Sequence, residues 1–191
     1  MWIAYGMDHA GQVDSARKFH LWAAETLLRY EKKATLLLDK LASGVRPNES
    51  DYLPTRFRLD GDLGTEDWPD FQLDGYGAWM WGLVQFVQKH HDDALWQSAR
   101  PAVVMLIRYL AELWQSPNFD CWEENRQQIH VATLTALYGG FNAVRQYEPK
   151  LVPDGLPEAV RDFIFMKGVT SDGHFMKFLG NEAVDSSLLW I

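Results

Sequence analysis

Cysteine is nearly absent from this 191-residue chain: Cys121 stands alone. No internal disulfide can form, and nothing points to an oxidising compartment. Long hydrophobic runs are missing too. No apolar stretch approaches the roughly 20 residues that a membrane-spanning helix needs. The opening residues, MWIAYGMDHAGQ, hold no basic segment followed by an apolar one, so they do not read as a signal peptide. Basic clusters are lacking: 18 Lys and Arg against 26 Asp and Glu give a formal net charge of −8. The positive residues are scattered, which argues against nucleic-acid or anionic-membrane binding. His20, His90, His91, His130 and His174 lack the paired spacing of zinc ligands, so no metal and no cofactor is expected. Sustained strand alternation is absent as well. The expectation is a soluble, cytoplasmic, all-α protein.

Aromatic side chains are plentiful, with nine Trp, ten Phe and seven Tyr in a chain that is 47% hydrophobic. That composition supports a sizeable core and excludes disorder. Trp is a demanding core residue, because its indole N–H needs a partner when buried. Flat aromatic rings also cover the apolar faces of sugars, so a core role and a carbohydrate-cleft role both stand on composition alone.

Apolar residues recur at helical spacing from Val13 to about Leu41, as one long helix or two joined by a kink. Residues 45–73 carry Pro, Asn, Asp and Gly without a period and form a long connection, a kind of segment that often carries function. Helices are predicted over Asp74–Lys89, Asp92–Gln115, Arg126–Gln146 and Leu156–Met166, and Asn181–Ile191 can begin another. Pro101 either kinks its helix or marks the true first turn. The result is about six helices joined by loops, several of them aromatic.

Three stretches combine aromatic and acidic residues: Trp68 through Gln72-Leu-Asp74-Gly75, then Trp122-Glu123-Glu124, then Val184-Asp185-Ser186-Ser187-Leu188. Asp74, at a helix start, reads as an ionised carboxylate favoured by the helix dipole, or simply as an N-cap. Glu123 and Glu124 repel one another beside Trp122, and repulsion and desolvation both raise a carboxyl pKa toward the range of a general acid. An acidic pair in a solvated first turn is the plainer alternative. Cys121 has no nearby His or Lys to activate it and reads as structural.

The order and spacing of these three stretches, together with the segment Gly11–Phe19, resemble the glucoamylase family, glycoside hydrolase family 15, along nearly the whole chain. The resemblance implies that residues 1–191 form one segment of an (α/α)6 toroid, two concentric rings of helices with the active site at one end of the inner ring. It implies inverting, exo-acting hydrolysis of α-glucosidic bonds in α-glucans or α-glucosides, without a metal. By position, Glu123 matches the general acid and Glu124 a carboxylate on the leaving-group side. Trp68 and Trp122 match the cleft wall, and Asp74 a supporting carboxylate. Two family features are not found: the Trp-x-Arg-Asp glucose clamp, expected upstream of position 1, and the general base, expected beyond Ile191. Asp185 and Glu182 are the acids nearest the end, and neither fits the base motif. The expectation is therefore a partial catalytic core, inactive by itself and associating with another chain to cover the open ring. A non-catalytic glucan-binding or regulatory module on the same cleft is the alternative. A helical interaction domain with no sugar role leaves Trp68 and Trp122 explained only as core.

Overall fold

A computed structural model describes residues 1–64 and 71–190. Among them are seven α-helices: α1 (Trp2–His9), α2 (Val13–Leu28), α3 (Glu31–Ala42), α4 (Asp74–His90), α5 (Asp93–Leu113), α6 (Val131–Tyr147) and α7 (Leu156–Lys167). The only β pairing among the described residues is isolated bridges. No helix among them is long and apolar enough to cross a membrane.

The helices pair as hairpins set side by side. α1 packs on α2, α4 on α5 and α6 on α7, while α4 also lies against both α1 and α6, and α5 against both α2 and α3. This places α1, α4 and α6 in an inner row and α2, α3 and α5 in an outer one, the layering of an (α/α) toroid followed along an arc. α1 runs parallel to α4: Met1 lies over Gly82 and Asp8 reaches Lys89 and His90.

Periodicity explains the core. The apolar face of α4 (Trp79, Met80, Leu83, Val84, Phe86 and Val87) is wholly buried. α4 meets α6 through glycines, because a Cβ on Gly140 would sit 2.6 Å from the Gly77 carbonyl oxygen. Bare backbone at that crossing is what lets the two helices pack so closely. Asp92 caps α5 by accepting from Leu95 N–H at 2.9 Å, and the same carboxylate takes Arg17 of α2 at 2.6 Å. One acid thus starts a helix and fixes its neighbour.

Several boundaries depart from the periodicity. Of the two alternatives for the stretch from Val13, the structure takes the second, two helices broken at Arg29–Tyr30. α1, two turns long, is an addition. Pro101 lies deep inside α5, so it does not mark the first turn. α6 begins at Val131 rather than Arg126, because residues 120–128 are consumed by a tight loop. The chain near Asn181 makes only a short 3-10 turn at Ser186–Trp190, not an α-helix.

The long connection is tied down from both ends. Tyr76 of α4 donates to Pro54 O at 2.5 Å, and Tyr109 of α5 accepts from Leu53 N–H at 3.1 Å. Phe119 N–H donates to Phe71 O at 3.1 Å. The loops entering α4 and α6 therefore meet at one end of the inner row.

Candidate active site

The loop that enters α6 is organised by one buried carboxylate. Asp120, 3% exposed, accepts from Trp122 N–H at 3.0 Å and from Glu124 N–H at 2.9 Å, both on Oδ1. Its carbonyl takes Glu123 N–H at 2.9 Å. These three bonds wind the chain so tightly that Glu123 sits at φ 63° and Asn125 at φ 51°, in the left-handed region. Asn tolerates that region; for Glu it costs about 1 kcal/mol or more and persists only because its surroundings impose it. His130, 1% exposed, backs the loop with Nδ1 at 3.7 Å from Asp120 Oδ2. Burial lowers the His130 pKa, and the Asp120 charge pulls it back up.

The side chains on either side of Glu123 diverge. Trp122 is 52% exposed, and its indole N–H donates to Asp185 Oδ1 at 2.8 Å. Glu124 Oε2 accepts from Lys177 at 3.1 Å. Glu123 is half-buried, and no hydrogen bond or ion pair engages its carboxylate among the described residues. Lys177 therefore offsets the charge of Glu124, and mutual repulsion between the two glutamates is not what distinguishes them.

Asp74 opens α4 directly beside this loop, but Leu73, not Asp74, occupies the cap position. The dipole-stabilised carboxylate expected there is overruled by burial, which pushes the Asp74 pKa up. The Asp120 charge adds to that rise, while hydrogen bonds from Gln72 and the backbone at Gly75 oppose it. One oxygen, Oδ1, is buried with no partner. Cys121 lies among Asp74, Asp120 and Asp185; burial and these three charges push its thiol up to about 12. It is unreactive by placement, as a structural cysteine should be.

Trp122, Glu123, Glu124 and Asp74 are thus brought to one end of the inner row. Trp68 lies outside the described residues. Sequence reasoning missed Asp120 and Lys177. Asp120 had a local signal, an Asp placed two and four residues before the N–H groups it caps. Lys177 had none, being 53 residues from Glu124 in the chain. No cluster of His, Cys, Asp and Glu among the described residues could hold a metal ion.

This arrangement can be set beside known proteins. A profile described as "Glycosyl hydrolases family 15" matches residues 4–189. The chain belongs to glycoside hydrolase family 15. It is 36% identical over 191 residues to an "Isomaltose glucohydrolase" of Kribbella flavida, covering 97% of this chain and 49% of the relative. Among solved structures, one named "Glycosidase Wild Type" superposes with a TM-score of 0.88 at 34% identity, over 97% of this chain and 51% of that one. A glycosidase variant in complex with glucose gives the same figures of 0.88 and 34%. The chain thus spans about half the length of these relatives.

Proposed function

We propose that the protein hydrolyses α-glucosidic bonds from the non-reducing end with inversion, and that Glu123 is the general acid. The observation that carries this reading is the loop itself. A glutamate is held in strained backbone by Asp120, its carboxylate left free of cations among the described residues, while the neighbouring Glu124 takes the lysine. An acid catalyst has to present its carboxyl to the glycosidic oxygen, and a carboxylate already engaged by a cation is not free to do so.

The other residues take complementary roles. The exposed Trp122 ring packs on the apolar face of a sugar, and Trp68 supplies a second platform. Glu124, held by Lys177, accepts hydroxyl hydrogen bonds on the leaving-group side. Asp74 supports the loop from beneath. Inversion also needs a base roughly 6.5–9.5 Å from the acid, with a water between base and sugar. Asp185 is unsuited to that role, because Trp122, Ser187 and Lys177 already occupy its oxygens. We place the base in a further half of the ring, in the same polypeptide or in a second chain. That half would cover exposed apolar side chains such as Trp2, Ile3, Phe165 and Met166.

Isomaltose is the first substrate to test, given the name of the Kribbella flavida relative. The 191 residues alone should release negligible glucose from isomaltose or maltose. The completed enzyme should release β-glucose first, seen by proton NMR before mutarotation. Release of the α-anomer first would overturn the mechanism. Isomaltose binding without cleavage by the completed enzyme would favour a glucan-binding module instead.

A further inference from the structure

Trp122 and Glu124 leave the acid loop in different directions, yet both end on the same distant segment, residues 177–187. Asp185 Oδ1 takes the Trp122 indole N–H at 2.8 Å and is held from behind by Ser187 N–H, also at 2.8 Å. Lys177 Nζ donates to Glu124 Oε2 at 3.1 Å and stands 3.3 Å from Asp185 Oδ2. The segment closes on itself where Lys177 N–H donates to Ala183 O at 2.9 Å. It is anchored to the acid loop where Leu179 N–H donates to Ile129 O at 3.0 Å.

These contacts are built for position. The Trp122 ring is more than half exposed, so packing alone holds it weakly, and its one hydrogen bond sets the plane of the ring. Lys177 is only 18% exposed, and an ammonium so placed needs both of its carboxylates. Against the cost of burial, hydrogen bonds from Ser187, the Trp122 indole and the Lys177 ammonium hold the Asp185 carboxyl well below the usual carboxylate range. Asp185 is thus placed as an acceptor, with both oxygens engaged.

We propose that Lys177 and Asp185 are positioning residues for the leaving-sugar side of the cleft, Asp185 by fixing the Trp122 ring and Lys177 by holding the Glu124 carboxylate. The assignment rests on the function proposed above. The pair acts on how the second sugar is bound, not on how the bond is broken. A ring and a carboxylate already in place cost the substrate no ordering entropy, whereas loose ones do.

The test uses the completed enzyme with isomaltose, together with proton–nitrogen NMR of the indole groups. Asp185→Ala should raise KM about tenfold while kcat stays within about threefold, the split expected when binding common to ground and transition states is lost. The Trp122 indole cross-peak, assigned by its disappearance in Trp122→Phe, should move in Asp185→Ala. Asp185→Asn keeps an acceptor and should recover most of the KM. Lys177→Arg should do the same relative to Lys177→Met. A fall in kcat at unchanged KM, an indole cross-peak that stays put in Asp185→Ala, or an Asp185→Asn enzyme as impaired as the alanine variant would each overturn the proposal. A purely structural role would lower thermal stability and kcat together, without rescue by the conservative variants. If the completed wild-type enzyme cleaves no α-glucoside, the functional reading falls and the positioning role falls with it. The cross-peak in the 191-residue chain would separately report whether the Trp122–Asp185 bond exists.

Discussion

Gly77 of α4 and Gly140 of α6 meet backbone to backbone: a Cβ on Gly140 would lie 2.6 Å from Gly77 O and 3.0 Å from Gly77 Cα. The obstacle is main chain, which cannot rotate away. Asp74 opens α4 and the acid loop opens α6, so the spacing at this crossing sets how the two halves of the candidate site face each other.

Gly140→Ala should therefore destabilise the protein by about 1–3 kcal/mol, the usual cost of overpacking, despite the helix propensity that alanine adds. The expected fall in Tm is about 2–4 °C per kcal/mol for a chain of this size. Gly139→Ala is the internal control. Among the described residues a Cβ there would meet only Trp81 Cδ1, at 4.0 Å, so the adjacent substitution should be neutral or stabilising by up to about 1 kcal/mol. Equal effects at the two positions would mean that the crossing is not what the glycine serves.

His20 gives the stability a pH dependence. It is 1% exposed against Phe86, and burial lowers its pKa from 6.5 to about 4. Between those values the unfolded chain binds a proton that the folded chain refuses. Stability is therefore full above about pH 6.5 and falls by about 3 kcal/mol as the pH drops to about 4. His130, also lowered by burial, adds in the same direction. Asp8, lowered by its bonds to Lys89 and His90 despite burial, adds a further loss only below its ordinary 3.8. Urea midpoints measured across this range should slope upward with pH, and His20→Phe should flatten the slope. An unchanged slope in the variant would remove His20 from the account.

Cys121 should resist alkylation. With its thiol pushed up from 9.0 to about 12, the thiolate population at about pH 8 falls roughly a thousandfold. Iodoacetamide should label the folded chain far more slowly than a free thiol, and denaturant should restore ordinary reactivity. Fast labelling of the folded chain would show that the Asp74–Asp120–Asp185 surroundings are open to water.

The inner face of α4 was legible in the sequence because burial of a helix face imposes a period, and every residue from Trp79 to Val87 placed in that face is buried. α1 was not legible. It is two turns long, and it is held by tilted ring contacts of Trp2 and Tyr5 with Trp81, 76 or more residues away in the chain. The start of α6 was misread for a similar reason. Residues 126–130 have helical composition, but Asp120 and the bridge from His130 to Phe178 claim the backbone first. In the candidate site the acidic and aromatic residue types were legible, but their electrostatics were not. Asp74 is raised by burial rather than kept ionised by a helix dipole, and Glu124 is answered by a lysine that no local pattern announces.

Glu123 and Glu124 are neighbours with different surroundings, and the difference can be read kinetically. Lys177 engages Glu124 at 3.1 Å, and no cation engages Glu123 among the described residues. A proton donor matters most when the leaving group is a sugar alkoxide, which must be protonated as the bond breaks, and little when it departs as a stable anion. In the completed enzyme, Glu123→Gln should depress isomaltose or maltose hydrolysis by about 10²–10⁴ and largely spare α-glucosyl fluoride. Glu124→Gln removes an acceptor on the leaving-sugar side and should raise the disaccharide KM without creating that contrast. Both comparisons convert to transition-state free energies through the ratio of kcat/KM values. If Glu123→Gln lowers the fluoride and the disaccharide equally, or if the selective loss belongs to Glu124→Gln, then the strained glutamate is not the acid. The loop that Asp120 winds would then be presenting Glu124 instead.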